Sequence, residues 1–472
     1  MIHLRPRHVS CLLCSMALAS CALLPPLGSR RMAEDVSSLK GKAPEKWSVL
    51  PSLPERESTG WLADFNSPKL QSLVSRAIQA NPDLKAAAAR VRQARAQTME
   101  AGAALFPAVA GSFNAARSQT PADQRFSGLA FINNRFRLPL NVSWEADFWG
   151  RVADERRAAK AGAQAAEESY HAARLSLAAS TVNAAITLAE ARSQANLAAQ
   201  DLRTRRVQLA ILEKQLDRGL DPERAALDLS LSRADLARAE SAFQQSRASA
   251  DQAARALETL LGGYPAGTEP GLDTLPALKR NVPAGLPSEM LLRRPDIRAA
   301  ERRLAAALGT ESAAKKAFLP SFRMTGDYGR TTQFLDTLLT PETAFWSIAG
   351  STTQSFFQGG RVLAAARAAR ARYDELLHAY EAGALTAFRE VETALAAEQF
   401  LNDQAAALSR AASEAETAER LALGQYERGL TPALTLLDAR QRAFDARSAL
   451  LAIQARSLRN RADLHLALGG EF

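Results

Sequence analysis

A long internal duplication governs what this chain can fold into. Asn81-Pro82-Asp83-Leu84 recurs as Arg294-Pro295-Asp296-Ile297, and Leu105-Phe106-Pro107 as Phe318-Leu319-Pro320, both 213 residues later. Asp217-Arg218-Gly219-Leu220-Asp221-Pro222 returns as Glu427-Arg428-Gly429-Leu430-Thr431-Pro432, and Leu261-Gly262-Gly263 as Leu468-Gly469-Gly470. A period of this length means one large unit used twice, not a stack of short solenoid repeats. The first copy takes residues 61–261 and the second 288–472, joined by a Gly- and Pro-rich linker at 262–287.

Both copies predict the same inner order. A helix opens each at Pro82 or Pro295, where proline suits the first helical position, and stops before Pro107 or Pro320. In the first copy Phe136, Leu138, Leu140, Val142, Trp144, Ala146 and Phe148 alternate with mostly polar residues. This period of two gives a strand at 136–148 with one apolar and one polar face, and a weaker partner lies at about 108–117. The second copy repeats the pair at about 321–330 and 345–358. Long helices follow at 151–217 and 222–261, then at 361–427 and 432–468, with Gly219 and Gly429 as left-handed caps between them. The residues are 47% hydrophobic but only 6% aromatic, so the helices pack through thin seams of Ala and Leu such as Leu202, Leu209, Leu212 and Leu216.

These pieces constrain assembly. The strands have about the 9–11 residues that cross a bilayer as tilted barrel strands. Four of them cannot close a barrel, and open sheet edges are not tolerated in hydrocarbon, so several chains must share one. The fold class is therefore an α+β membrane protein, internally duplicated, with a transmembrane β-barrel shared between protomers and a long coiled-coil helical barrel. An ordinary soluble sheet beside a solid coiled coil is the alternative.

The N-terminus supplies the compartment. Arg5 and Arg7 precede an apolar run from Val9 to Ala19, too short to span as a helix, which predicts a signal peptide at 1–20. Leu18-Ala19-Ser20-Cys21 resembles a lipobox, making Cys21 the acylated first residue of the mature chain, followed by a linker at 21–60. The plainer reading of Cys21 is a small residue of the leader. Ala22 in place of an acidic residue favours the bacterial outer membrane as destination. All three cysteines, Cys11, Cys14 and Cys21, lie in this segment, so the remaining chain has no disulfide framework or thiolate site.

The stretch from Gly285 to Glu301, containing Arg293-Arg294-Pro295-Asp296-Ile297, resembles a signature of the TolC-like outer-membrane factors, in the lipoprotein branch of NodT- and OprM-type efflux ducts. Trp61-Leu62-Ala63-Asp64-Phe65, Asn81-Pro82-Asp83-Leu84 and Asp147-Phe148-Trp149-Gly150-Arg151 carry the same resemblance. It implies a homotrimer in outer-membrane lipid that passively conducts small molecules or drugs. It also implies a periplasmic adaptor (membrane fusion) protein and an inner-membrane pump of the resistance-nodulation-division type as partners. The turns Arg218-Gly219-Leu220 and Arg428-Gly429-Leu430 would be adaptor-contacting tips, or helix turns only. Leu434 and Asp438 match the segment that narrows the periplasmic entrance; four apart, they share a helix face, and in a trimer would form a leucine ring and a carboxylate ring. Asp228 holds the equivalent place in the first copy, where a solvated carboxylate explains it as well. Related proteins place an Arg three residues beyond the Asp as a lock; here that residue is Gln441, between Arg440 and Arg442. The lipid-facing strand would present Phe136, Leu138, Leu140, Val142, Trp144 and Phe148.

Other classes are poorly supported. With 23% charged residues and a mean hydropathy of −0.18, the chain is neither a polytopic helical membrane protein nor disordered. The net charge of +9 is interspersed with acidic residues, without basic arms, so no nucleic-acid partner is expected. His171, His378 and His465 are widely separated, and no metal spacing, phosphate loop or nucleophile elbow occurs, so no cofactor, metal or catalytic activity is expected. A type I secretion or heavy-metal export duct, and a surface coiled-coil scaffold without a pore, stand as alternatives.

Overall fold

The computed structural model describes residues 29–40, 44, 47–48, 60–120, 131–217, 222–278 and 287–470. They divide into two compact units, one holding Val91–Ala166 and Ala300–Glu381, the other Glu167–Ala299 and Ala382–Phe472 with Lys42–Arg90. Each sequence repeat contributes to both units, so the duplication is not a division into two bodies.

The first unit carries the sheet. Its strands are β1 (Ala108–Gly111), β2 (Asn114–Thr120), β3 (Phe131–Ala146), β4 (Ser321–Thr332) and β5 (Ala344–Thr353), antiparallel throughout. β1 and β2 both pair with β3, which pairs with β4, which pairs with β5. The strand expected at 108–117 is thus two pieces, and the cause lies on the opposite strand. Gly111 faces Leu140 and Asn114 faces Arg137, so the register passes through the gap with Ser112 opposite Pro139. Ser112 N–H donates to Pro139 O at 3.1 Å, but proline has no N–H to return the bond. On the other side of Pro139 lies Gly329, where a Cβ would sit 2.6 Å from Pro139 Cα and 2.3 Å from Leu138 O; only glycine fits this approach.

The strand ends differ from expectation. β3 stops at Ala146, so Asp147 and Phe148 lie beyond it. The Asp147 carboxylate instead accepts from Val152 N (3.0 Å) and Ala153 N (2.7 Å), capping the next helix, while Gly150 turns the chain at φ 72°. β5 ends at Thr353 rather than 358, where the Gln354 amide turns to donate to Phe318 O.

The region expected as linker, 21–60, contains a helix, α1 (Ser29–Lys40). Arg31 sits 4.4 Å above the Tyr373 ring and pairs with the buried Glu311 and with Asp374, while Tyr373 OH donates to Asp35 at 2.7 Å. Cys21 and the signal segment lie outside the described residues.

The second unit holds the apolar core. A 3₁₀ turn, Trp61–Phe65, and helix α2 (Pro68–Ala80), capped by Ser67 Oγ, bury Trp61, Phe65, Leu70, Val74 and Ala77. They pack on Ala178, Val182, Ala185, Ile186 and Ala189, one helical face of small residues that lets helices approach closely. α3 (Pro82–Ala103) and, in the second copy, α6 (Pro287–Arg293) and α7 (Pro295–Lys316) lead into the strands. Four helices follow the strands: α4 (Arg151–Asp217) with its return α5 (Pro222–Leu260), and α8 (Arg361–Glu427) with α9 (Ala433–Ala467). α4 and α8 are both 67 residues, about 100 Å at 1.5 Å per residue. α9 begins one residue later than expected, with Pro432 as its cap. One window of α4 is apolar enough to cross a bilayer by composition, but 56% of it is buried, and its apolarity is that of a core helix.

Both repeats close the same way. Gly262 (φ 71°) and Gly469 (φ 74°) end α5 and α9 in Schellman caps, with Gly263 N–H donating to Glu258 O and Gly470 N–H to His465 O. Asn81 Nδ2 donates to Leu260 O in the first copy, and at the duplicate position Arg294 Nη1 donates to Ala467 O. Asn81 Oδ1 also caps α3 by accepting from Leu84 N; arginine cannot accept, and Asp296 takes a bond from Ile297 N while clamping Arg294.

Candidate functional site

The sheet has two faces of opposite chemistry. Register places Leu140 beside Tyr328 and Trp346, and Val142 beside Val109 and Ile348, so these side chains share one face. That face is exposed: Trp346 and Ile348 at 74%, Tyr328 at 63%. Leu138 and Leu140 are exposed on it, and Phe136, Val142 and Trp144 are half-buried, Trp144 Nε1 donating to Leu105 O. Phe148 is exposed but belongs to the turn below the strand, stacked edge-on against Trp149. The opposite face is polar. Asn141, Asp327 and Ser347 form one row, with Ser347 Oγ bonded to Asp327, and Glu145, Arg323 and Ser351 another. Exposed apolar surface backed by a polar face is what a barrel wall between lipid and water requires. Among the described residues the outermost strands, β1/β2 and β5, each leave one side unpaired.

The ends of the long helices hold the second set of residues. Gly429 has φ 75°, its N–H donates to Tyr426 O, and Leu430 N–H donates to Gln425 O, both at 2.9 Å. This Schellman cap leaves Arg428, Gly429 and Leu430 exposed at the turn. Arg218, Gly219 and Leu220 lie outside the described residues.

Leu434 and Asp438 share an exposed face of α9, and Asp438 pairs with Arg442 at 3.0 Å. With Gln441 they line a cavity of about 470 Å³ against Asp201, Arg205, Asp235 and Arg238. Asp228 is not brought to them; it faces Tyr426, whose phenol is pushed up by burial first and by the Asp228 charge second. Sequence reasoning missed Arg205. Its side chain is only 7% exposed, with Nε donating to Asp201 (2.7 Å), Nη2 to Gln441 (2.8 Å) and Nη1 facing Asp235 at 3.8 Å. Gln441, at the place of the expected lock, accepts an arginine from another helix instead of supplying one. Among the described residues no group of His, Cys, Asp and Glu is arranged to hold a metal.

Known proteins match this architecture. The family model for outer membrane efflux proteins matches residues 73–263 and 286–470, one match per repeat. The cation efflux system protein CusC of Escherichia coli is 31% identical over 421 residues, 88% of either chain. The toluene efflux pump outer membrane protein TtgC of Pseudomonas putida is 29% identical over 462 residues, 96% of this chain and 93% of its own. A solved structure of the outer-membrane channel OprN superposes with a TM-score of 0.83 at 29% identity, covering 91% of this chain and 97% of that one. The chain belongs to the outer membrane efflux protein family, and its sheet and long helices are those of an outer-membrane channel component of efflux systems.

Proposed function

We propose that three copies of this chain close a twelve-stranded barrel in the outer membrane and a helical tunnel below it, a passive duct for small molecules. An adaptor in the periplasm and an inner-membrane pump of the resistance-nodulation-division type complete the path and supply the energy. The observation that carries the reading is the sheet, whose apolar face is exposed, whose other face is polar, and whose two edges are unpaired among the described residues. Within lipid those edges need partners, and β5 of one copy beside β1/β2 of the next keeps the antiparallel order and satisfies both. Acylation of Cys21 would hold the N-terminus at the same membrane. Leu434 and Asp438 are assigned to the periplasmic entrance, without Asp228, which faces Tyr426 instead, and Arg428-Gly429-Leu430 with Arg218-Gly219-Leu220 to the adaptor-facing tips.

Deleting the gene and restoring it tests the function. Loss should raise dye accumulation and sensitivity to structurally unrelated drugs. CusC and TtgC are named for cations and toluene, so cargo is tested alongside: a strain sensitised only to a metal ion, with drug tolerance intact, would refute the small-molecule assignment. Asp438→Ala should increase the conductance of the resting trimer in a planar bilayer, and an unchanged conductance would remove Asp438 from the gate. Leu430→Glu should abolish resistance while the trimer persists, since Leu430 is 68% exposed.

A further inference from the structure

The polar face of the sheet carries its charges unevenly. Nearest the helices both signs are present: Glu145 stands opposite Arg323, and Arg151 also holds the Glu145 carboxylate at 2.8 Å. A middle row holds Asp327, which accepts from the Ser347 hydroxyl. At the end farthest from the helices the charge is of one sign. Arg137 stands opposite Thr331 and Asn114. Arg135 follows two residues farther out on the same face, opposite Ala116, where β3 runs on past the end of β4. Both arginines are exposed. Among the described residues no carboxylate stands opposite either of them on a neighbouring strand.

One of the two is held in place by an aromatic ring. Arg137 reaches diagonally across β4 and lays its guanidinium over the Phe345 ring of β5, 4.6 Å from the centroid. The crossing is open because the residue between Pro139 and Phe345 is Gly329, which has no side chain to fill it. Stacking uses the flat face of the guanidinium and leaves the N–H groups along its edge to a ligand. Asp327 is too far down the face to cancel this charge. Its row lies four residues from that of Arg137, about 13 Å along the strand, beyond the screening length of about 8 Å at physiological ionic strength.

We propose that Arg135 and Arg137 form an anion-accepting girdle at the outer mouth of the barrel, which favours small organic anions bearing a carboxylate. The proposal rests on the reading that three copies close one barrel around the polar face. Threefold repetition then turns the two arginines into two stacked rings of guanidinium groups about one aqueous passage. Rings of a single sign select the opposite charge, and a planar guanidinium fork matches a carboxylate with two parallel bonds. Because both side chains face water, the attraction concentrates anions at the exit without holding them there.

The test reads ion selectivity in the full-length channel. Zero-current potentials are measured in a planar bilayer under a low-salt KCl gradient, at the resting level and in the Asp438→Ala background. Arg135→Gln with Arg137→Gln should lower the chloride-to-potassium permeability ratio at least about fivefold, since a passage lined by one sign concentrates its counter-ion roughly tenfold or more. The shift should shrink as salt is raised. Arg135→Gln alone, which leaves the Arg137–Phe345 stack intact, should give part of the shift. Arg135→Lys with Arg137→Lys should keep the parent ratio, which separates charge from shape. Added benzoate should reduce the parent's chloride current and leave that of the double glutamine variant unchanged. A conducting double glutamine variant with the parent's ratio would refute the girdle and leave the duct standing. A shifted ratio without block by benzoate would overturn the carboxylate assignment. If no trimer conducts in either background, the shared barrel falls and the girdle with it.

Discussion

Three glycines separate backbone strain from steric clash, and their replacement by alanine should follow a fixed order. Gly262, Gly429 and Gly469 have φ of 71°, 75° and 74°, each as the left-handed residue of a Schellman cap. Any L-residue there costs about 1–2 kcal/mol, partly offset by roughly 0.4–1 kcal/mol from the stiffened unfolded chain. What a Cβ meets differs. At Gly429 nothing lies within 4 Å; at Gly469 the Arg294 nitrogen is 3.0 Å away; at Gly262 the Ala80 carbonyl oxygen is 2.8 Å away. Overpacking against backbone adds about 1–3 kcal/mol. Gly429→Ala should therefore cost about 1 kcal/mol, and Gly469→Ala and Gly262→Ala about 2–4 kcal/mol, with Gly262→Ala the larger. Asparagine, which tolerates the left-handed region, should be milder than alanine at 429. Thermal unfolding of the detergent-solubilised protein, followed by circular dichroism at 222 nm, ranks the variants. A loss at Gly429 equal to that at Gly262 would refute the reasoning, because only clash distinguishes the two sites.

Charge on the two faces of the sheet should have unequal effects. Trp346→Arg places a cation on the apolar face, at about 2–4 kcal/mol if it lies near mid-bilayer, and should reduce outer-membrane insertion measured by fractionation; Ser143→Arg on the polar face should insert normally. Glu258 gives a pH signature. Backbone bonds from Gly267 first, then Glu269 and Thr268, hold its carboxyl below the ordinary range. Its contribution is complete above the unfolded value and disappears as pH falls through the lowered folded value. Glu258→Gln should therefore lower the unfolding midpoint at pH 7, with the difference from the parent vanishing in acid.

Local patterns carried much of the fold, and partners far along the chain carried the rest. The alternation from Phe136 to Trp144 and the Arg428-Gly429-Leu430 turn were legible because each is a property of consecutive residues. The break at Ser112 was not, because its cause is Pro139 on another strand. Phe148 continued the period of two past its end, since nothing in that period announces that Asp147 has turned to cap α4. α1 lay hidden in the stretch expected as a linker, because its support comes from Tyr373 and Glu311, more than 270 residues away. Leu434 and Asp438 were legible as a pair at helical spacing. Arg205 was not, because one arginine on an arginine-rich helix has the sequence signature of a solvated side chain until Asp201, Asp235 and Gln441 surround it.

Electron cryo-microscopy of the full-length protein, extracted from membranes in detergent, tests the shared duct most directly. The account predicts a hollow particle with threefold symmetry, four strands per copy in one closed barrel, and a helical stem approaching the roughly 100 Å that α4 and α8 allow. A monomer, or a solid coiled coil without a lumen, would contradict it.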